Sequence, residues 1–313
     1  MQPALSRAAT PVTAPAALKP LFHELGDLKR VRSAGRRGSI AARLFREAWA
    51  ALVLVRGEGE TLEALALRTT AAALCAARLG DLDRPALLGM GLQPADVAAV
   101  LARAFDEIAG PVEPALRERL RAHLGGLPRA GAAEVPRFVD SLEAQPRAGV
   151  TAPGRPRIVL EPPENHAEHC LMVAVYGVLL SPAYGADPAT VFLAALAHHL
   201  HNAQMPDSGF TGEMLLGDHL DAVIAHCTAA ALDELASPLR ERVEAARAIL
   251  PDAGTPEGRA FHAADVADRV LQIAQHLRAA SLTMDTVLGE MELVHAGPVK
   301  AFHDRVLAEM NLP

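Results

Sequence analysis

The sequence predicts an all-α protein. Half of its 313 residues are hydrophobic but only 4% are aromatic, and its abundant alanine and leucine favour helix over sheet. Apolar residues recur at helical spacing along most of the chain, and prolines separate the helical segments of the second half. The one candidate strand is the short stretch 157–160. Together these observations indicate a bundle of helices joined by loops.

Helical patterns in the first half begin near Pro20. A basic stretch follows at 29–38, after which Ser39 has the position of an N-cap for a helix that runs to about Val55. Residues 1–17 are rich in alanine and proline, and we expect them to form a disordered tail. Further helices are predicted at about 60–79, 94–109, 113–124 and 134–143.

A run of turn-forming residues at 144–163 divides the chain. We interpret it either as a linker between domains or as a long loop inside one helical domain. It separates an N-terminal region, 18–143, from a C-terminal region, 164–313. We interpret the N-terminal region as a degenerate copy of the second half or as a dimerisation module, and the latter would make the protein a homodimer. In the C-terminal region helices are predicted at about 165–180, 188–203, 213–235, 237–249, 257–281 and 297–310.

Composition and charge narrow the class of protein. The formal net charge of −7 and the pI near 6 argue against a general nucleic-acid binder. No segment reaches the ~18 uninterrupted apolar residues of a membrane span, and the N-terminus lacks the apolar run of a signal peptide. Cys75, Cys170 and Cys227 are widely separated, which argues against a thiolate zinc site and is typical of a reducing compartment. We therefore expect a cytoplasmic protein.

Histidines and acidic residues concentrate on three predicted helices of the second half. His169 precedes the apolar face of the first helix, and His198 and His199 lie among apolar residues of the second. Asp265 and Asp268 lie near the start of the third. Histidines that face the interior of a bundle need a partner, and imidazole with carboxylate suits zinc, iron, manganese, cobalt or nickel. The pattern therefore predicts a shared metal site.

The same residues resemble the motifs of the HD-domain superfamily of metal-dependent phosphohydrolases. The segment Glu164-Asn165-His166-Ala167-Glu168-His169 fits the Glu-Asn-x-x-Glu-His opening of the branch that includes the bacterial 5′-deoxynucleotidases. His198-His199 stands where the family has its His-Asp pair, and Ala267-Asp268-Arg269 fits the segment that supplies its final aspartate. Residues 213–218 match a further Glu-x-x-x-Gly-Asp segment, somewhat downstream of its usual place.

The resemblance implies a phosphohydrolase with one divalent metal ion, which could be Zn, Mn, Co, Ni or Fe. Its expected substrate is a small phosphomonoester such as a nucleotide, with no nucleic-acid or membrane partner. The residues that the family pattern implies are the metal ligands His169, His198, His199 and Asp268, the catalytic acids Glu213 and Asp218, and the phosphate-binding arginines Arg155 and Arg157.

The chain departs from the family at the second residue of the His-Asp pair. His199 can bind one metal through a neutral nitrogen but cannot bridge two metals as a carboxylate does. The site is then mononuclear, or supplemented by further ligands, or without a metal. Three functions remain open: a phosphohydrolase, an HD-type iron oxygenase acting on a small polar substrate, and a non-enzymatic scaffold that binds a ligand or a partner protein. The candidates for further ligands are His201, His219 and His226.

Overall fold

Helices form nearly all of the regular structure of this chain. A computed structural model describes residues 14–54, 61–126, 135–280 and 283–312. The predicted tail at 1–17 lies largely outside these residues, and its end belongs to a short 3₁₀ helix, Pro15–Leu18. The helices of the first half are α1 (Lys19–Gly26), α2 (Ile40–Leu54), α3 (Leu62–Leu79), α4 (Arg84–Gly89), α5 (Pro94–Ile108), α6 (Pro114–Arg121) and α7 (Arg137–Ala144).

The second half contains the longest helices of the fold. Two short 3₁₀ turns carry further residues of interest: Asp27–Lys29 in the first half and Leu200–Ala203 in the second. The helices are α8 (His166–Tyr184), α9 (Pro188–Ala197), α10 (Gly209–Leu216), α11 (Leu220–Leu232), α12 (Ser237–Arg247), α13 (Pro256–Ala280) and α14 (Lys300–Glu309).

The all-α prediction is confirmed, because no strand occurs among the described residues. The strand proposed at 157–160 is wrong: the segment contributes only an isolated antiparallel bridge between Val150 and Ile158. Through this bridge the segment 144–163 folds back on itself as a loop. A second isolated antiparallel bridge, between Pro146 and Asn165, joins the two ends of the loop.

Two predicted helices of the second half are shorter in the structure than the sequence suggests. The helix predicted at 188–203 ends at Ala197, and the chain tightens into the 3₁₀ turn that follows. The helix predicted at 213–235 is divided at Gly217, whose φ is +51°. Glycine adopts this left-handed conformation at little cost, so it separates two helices whose apolar spacing is continuous. The predicted N-cap of α2 is confirmed, because Ser39 Oγ accepts a hydrogen bond from the Ala42 N–H at 3.1 Å.

Helix α8 is the centre of the fold. Every residue from His166 to Ser181 is buried, and the helix packs against α2, α3, α9 and α13. By length and hydropathy α8 is the one helix of the described residues that could cross a membrane. Its burial inside the bundle accounts for that composition, because a helix that is covered on all sides is apolar all round.

One hydrophobic core joins the N-terminal and C-terminal regions. It extends from Leu18 to Leu312. Phe22 of α1 stacks on Tyr176 of α8 with ring centroids 4.0 Å apart, and the Tyr176 hydroxyl donates a hydrogen bond to the Phe22 carbonyl at 2.8 Å. Helices from both sides of the loop at 144–163 therefore cover the two faces of α8.

Candidate metal centre

The first histidine of the centre is positioned by the start of α8. Asn165 caps the helix: its side-chain oxygen accepts from the Glu168 N–H at 2.9 Å, and Glu168 Oε2 accepts from the Asn165 N–H at 2.9 Å. This reciprocal capping box begins the helix at a defined residue. His169 therefore lies about one turn into α8, fully buried and facing α13.

The next two histidines lie where α9 ends. His198 is the C-cap residue of α9, and His199 precedes the 3₁₀ turn. Adjacent residues of a continuous helix diverge by about 100°, but the end of the helix at this point brings both rings to one place. The ring centroids of His198 and His199 are 4.2 Å apart, and those rings lie 5.0 and 5.2 Å from the ring of His169.

Each of the three imidazoles has one nitrogen that is already hydrogen-bonded. His169 Nδ1 donates to Asp268 Oδ2 at 2.7 Å, and His198 Nδ1 donates to the Ala195 carbonyl at 2.6 Å. His199 Nδ1 lies 2.7 Å from Asn202 Oδ1. The Asn202 amide nitrogen donates to a backbone carbonyl, so its oxygen is the atom left to accept. In the neutral tautomers that these bonds select, every Nε2 carries a lone pair.

The Nε2 atoms of His169 and His198 and one carboxylate oxygen lie close together, and in these tautomers none of them carries a proton. His169 Nε2 lies 3.1 Å from His198 Nε2 and 3.2 Å from Asp265 Oδ1. Asp265 Oδ1 is buried and has no hydrogen-bond partner. Two ligand atoms bound to one tetrahedral zinc ion are about 3.3 Å apart. The spacing and the unsatisfied oxygen therefore fit a divalent cation held by these residues.

Burial keeps two of the imidazoles uncharged. It lowers the pKa of His198 well below the ordinary value, with a further contribution from His169. The pKa of His199 is lowered in the same way, by burial and then by His198. Burial would raise the pKa of Asp265, but Arg269 and the His169 ring bring it well below the ordinary value. Neutral imidazoles beside an ionised carboxylate are the protonation states that metal binding requires.

Asp268 lies in the centre, but both of its oxygens have partners. Oδ2 accepts from His169 Nδ1, and Oδ1 accepts from the Lys29 ammonium at 2.6 Å. Glu164 Oε1 lies at the same distance from that ammonium. Asp268, which the family pattern implies as a ligand, is therefore placed behind His169, and Asp265 faces the free nitrogen. The two aspartates are three residues apart on one helix side, so spacing alone does not separate their roles.

A polar cavity of about 170 Å³ opens beside the histidines. His199, Glu164, Arg147 and Arg269 are among the residues that line it. Arg147 Nη1 and Arg269 Nε are buried and have no hydrogen-bond partner. Buried guanidinium nitrogens without acceptors are suited to an anionic ligand, which would supply them.

The two acidic residues implied for catalysis, Glu213 and Asp218, differ in their position relative to the cavity. Glu213 lines the cavity, and burial followed by the charge of Asp207 raises its pKa. Asp218 is exposed and does not line the cavity. Because Gly217 ends α10, the chain turns away after Glu213 and takes Asp218 to the surface.

The arginines implied for phosphate binding also lie outside the cavity. Arg155 is exposed, 3.4 Å from Glu290. Arg157 is exposed and donates to the carbonyls of Ala148 and Ser208 at 3.0 Å each. Their loop presents Arg147 to the cavity instead. Arg147 is not among the residues predicted from the sequence, because the turn-rich composition of its segment is typical of a solvated linker.

The three further histidines proposed as ligands are not equivalent. His201 lies beside the centre, with its ring 5.5 Å from that of His199, and burial lowers its pKa to about 4. His219 and His226 are exposed. His219 is the N-cap residue of α11, and His226 lies within that helix. Among the described residues, the groups whose donors lie within 4.8 Å of one another are His169–His198–His199 and Glu164–His169–Asp268.

The chain is an all-helical bundle with a cluster of histidines and carboxylates on its core helices. The sequence profile of the HD domain matches residues 139–297, which is about half of the chain. The chain therefore belongs to the HD-domain family. The match begins in α7 and ends before α14, so it contains every histidine of the centre. No curated protein and no solved structure matches the chain.

Proposed function

We propose that this protein is a divergent HD-domain phosphohydrolase that uses one divalent metal ion to hydrolyse a small phosphomonoester, such as a nucleotide. The observation that carries the proposal is the convergence of three imidazoles and the unpartnered Asp265 oxygen in the core. His169, His198, His199 and Asp265 would hold the ion. Asp268, Ala195 and Asn202 would orient the three imidazoles, as the outer partners of metal-bound histidines commonly do.

The two arginines of the cavity support a phosphate as the anionic group. Arg147 Nη1 and Arg269 Nε are buried without acceptors, and both side chains line the cavity that His199 closes. Phosphate oxygens accept strong charge-assisted hydrogen bonds from guanidinium groups. A phosphomonoester bound there would have its phosphorus near the histidines and its leaving group toward the open end of the cavity.

Glu213 is the candidate for proton transfer. It lines the same cavity, and its raised pKa lets it hold a proton at a higher pH than an ordinary glutamate. A carboxyl group in this state can donate its proton to the oxygen that leaves when the phosphorus–oxygen ester bond breaks. The metal, when bound, would supply positive charge that lowers the pKa of the attacking water and stabilises the phosphoryl oxygens.

The proposal is tested by measuring metal content and phosphate release on the same preparations. We expect about one divalent ion per chain and release of phosphate from at least one class of phosphomonoester. His169→Ala is expected to lower metal affinity by more than about 100-fold, because loss of a ligand exceeds the 10–100-fold effect of losing an outer partner. A wild-type protein without metal and without phosphate release would contradict the proposal and favour a binding scaffold, and two irons per chain would favour the oxygenase.

The cavity arginines are tested separately. Arg147→Met is expected to lower kcat/KM by roughly 10–100-fold, because a hydrogen bond to a charged group contributes about 1.5–3 kcal/mol. Arg155→Met is the matched control: Arg155 lies in the same loop but is exposed and pairs with Glu290. Equal losses in the two variants would show that Arg147 does not bind the phosphate. Metal content of both variants should equal that of the wild type.

A further inference from the structure

Lys29 is a buried cation placed against the metal centre. Its side chain comes from the 3₁₀ turn Asp27–Lys29 of the N-terminal region, and the residue is only 4% exposed. Its ammonium lies 2.6 Å from Glu164 Oε1 and 2.6 Å from Asp268 Oδ1. The chain contains only three lysines, Lys19, Lys29 and Lys300. One of them therefore joins two carboxylates that come from the start of α8 and from α13.

The group that Lys29 contacts has the donors of a second cation site. Glu164, His169 and Asp268 are buried, with one donor atom of each within 4.8 Å of the others. His169 Nδ1 donates its proton to Asp268 Oδ2, so the two carboxylates are the groups left to bind a cation. This group shares His169 with the histidine group, so the two lie side by side. A site for two metal ions would place its second ion among such carboxylates.

Two neighbouring cations balance the negative charge of Glu164. Burial would raise the pKa of Glu164, but Lys29 and Arg147 lower it to about 2. The Arg147 Nε lies 3.9 Å from Glu164 Oε2, farther than the lysine nitrogen from Oε1. A buried carboxylate without a partner is strongly unfavourable. Removal of the lysine charge would therefore leave a negative pocket that attracts another cation.

We propose that the Lys29 ammonium occupies the second cation position of this HD-domain centre and restricts it to one metal ion. A lysine suits this position, because its ammonium is a compact charge with three donors, whereas a guanidinium is broad and planar. Lys29 is also a positioning residue: it holds Asp268 Oδ1 while Asp268 Oδ2 holds His169 Nδ1. The inference rests on the proposed function for the identity of the first site, and it determines the number of ions.

The test compares metal stoichiometry in the full chain with and without the ammonium. Wild type, Lys29→Met and the control Lys300→Met are dialysed against Mn²⁺ and their manganese is counted by elemental analysis and electron paramagnetic resonance. Lys300 is the control because it lies on α14 and pairs only with Asp304 of the same helix. We expect one ion in the wild type and in Lys300→Met, and two in Lys29→Met.

The outcomes separate this inference from the proposed function. Two ions in the wild type, or one ion in both wild type and Lys29→Met, would overturn the role of Lys29. No ion in the wild type and one in Lys29→Met would contradict the proposed function and still support Lys29 as the occupant of the carboxylate pocket.

A second measurement keeps the inference testable if Lys29→Met does not fold. The native wild-type protein is treated with formaldehyde and borohydride, and methylation of each lysine is followed by peptide mass spectrometry. We expect Lys19 and Lys300 to be methylated rapidly and Lys29 only after unfolding, because its ammonium is enclosed by two carboxylates. Equal methylation rates for Lys29 and Lys300 in the native protein would overturn the inference.

Discussion

At the scale of single residues, the unusual feature is a set of histidines that are buried without charge. His199 stands where the resemblance places the aspartate of a His-Asp pair, so this position carries no negative charge. The Asn202 oxygen lies 2.7 Å from His199 Nδ1 and orients this ring. A histidine beyond the centre is also buried: His303 of α14 is 6% exposed, and its Nε2 has no hydrogen-bond partner.

His303 is expected to make the protein less stable in mild acid. Burial lowers its pKa to about 4, whereas an unfolded histidine titrates near about 6.5. Below pH ~6.5 the unfolded chain binds a proton that the folded chain refuses, so the free energy of unfolding falls as the pH drops from about 6.5 to about 4. A shift of this size corresponds to roughly 3 kcal/mol at most.

Urea denaturation at pH 7 and pH 5 measures this effect. His303→Phe removes the titrating group, so we expect a smaller loss of stability between the two pH values than in the wild type. His226→Phe is the control, because His226 is exposed on α11 and should leave the pH dependence unchanged. Identical pH dependence in wild type and His303→Phe would contradict the assignment.

At the scale of elements, the spacing between α8 and α9 determines the distance between His169 and His198. The two helices approach closely at Gly177, where an added Cβ would lie 2.5 Å from Val191 Cγ1. Val191 is fully buried and branched at Cβ, so it has little freedom to move aside. The absence of a side chain at Gly177 therefore allows the close packing of the two helices that carry His169 and His198.

Gly177→Ala is expected to destabilise the protein by about 1–2 kcal/mol. Overpacking of a filled core costs typically about 1–3 kcal/mol, and the better helix propensity of alanine returns up to about 1 kcal/mol. Gly110→Ala is the matched control, because a Cβ there meets nothing within 4 Å. Urea denaturation measures both variants, and metal titration of Gly177→Ala should show weaker binding.

A double variant identifies the clash as the cause. In Gly177→Ala/Val191→Ala the second change removes the atom that the new Cβ meets, so the two losses of stability should not add. Additive losses would show that Gly177 acts through something other than its contact with Val191.

At the scale of the whole molecule, the N-terminal helices and the HD-domain match form one hydrophobic core. α1 and α2 cover α8, and Lys29 joins Glu164 to Asp268. A core that extends across the loop at 144–163 predicts that the two regions unfold together. The protein offers a convenient probe, because Trp49 is its one tryptophan and is fully buried in α2.

Cooperative unfolding is tested by comparing two signals during urea denaturation. Trp49 fluorescence reports the N-terminal region, since the indole packs edge-on against Phe138 with centroids 4.8 Å apart. Far-UV circular dichroism reports all helices. We expect the two transitions to coincide. A fluorescence change at lower urea than the main loss of helix would show that the N-terminal region is an independent unit.

The sequence by itself determined the helical class, the family and the residues that meet in the core. These features can be read along the chain: the apolar spacing, the Asn165 cap, and the order of His169, His198 and Asp268. Each depends on residue types and their spacing and not on contacts between distant segments. Only the tertiary structure decided how these residues divide their roles. The relative orientation of α8, α13 and the 3₁₀ turn of Lys29 determines which aspartate faces His169 and which cation neutralises Glu164. The fold of the loop at 144–163 determines which arginine lines the cavity. His169 and Asp268 are 99 positions apart in the sequence, and Lys29 and Glu164 are 135 apart. The periodicity of a single helix gives no information on the distance between such residues.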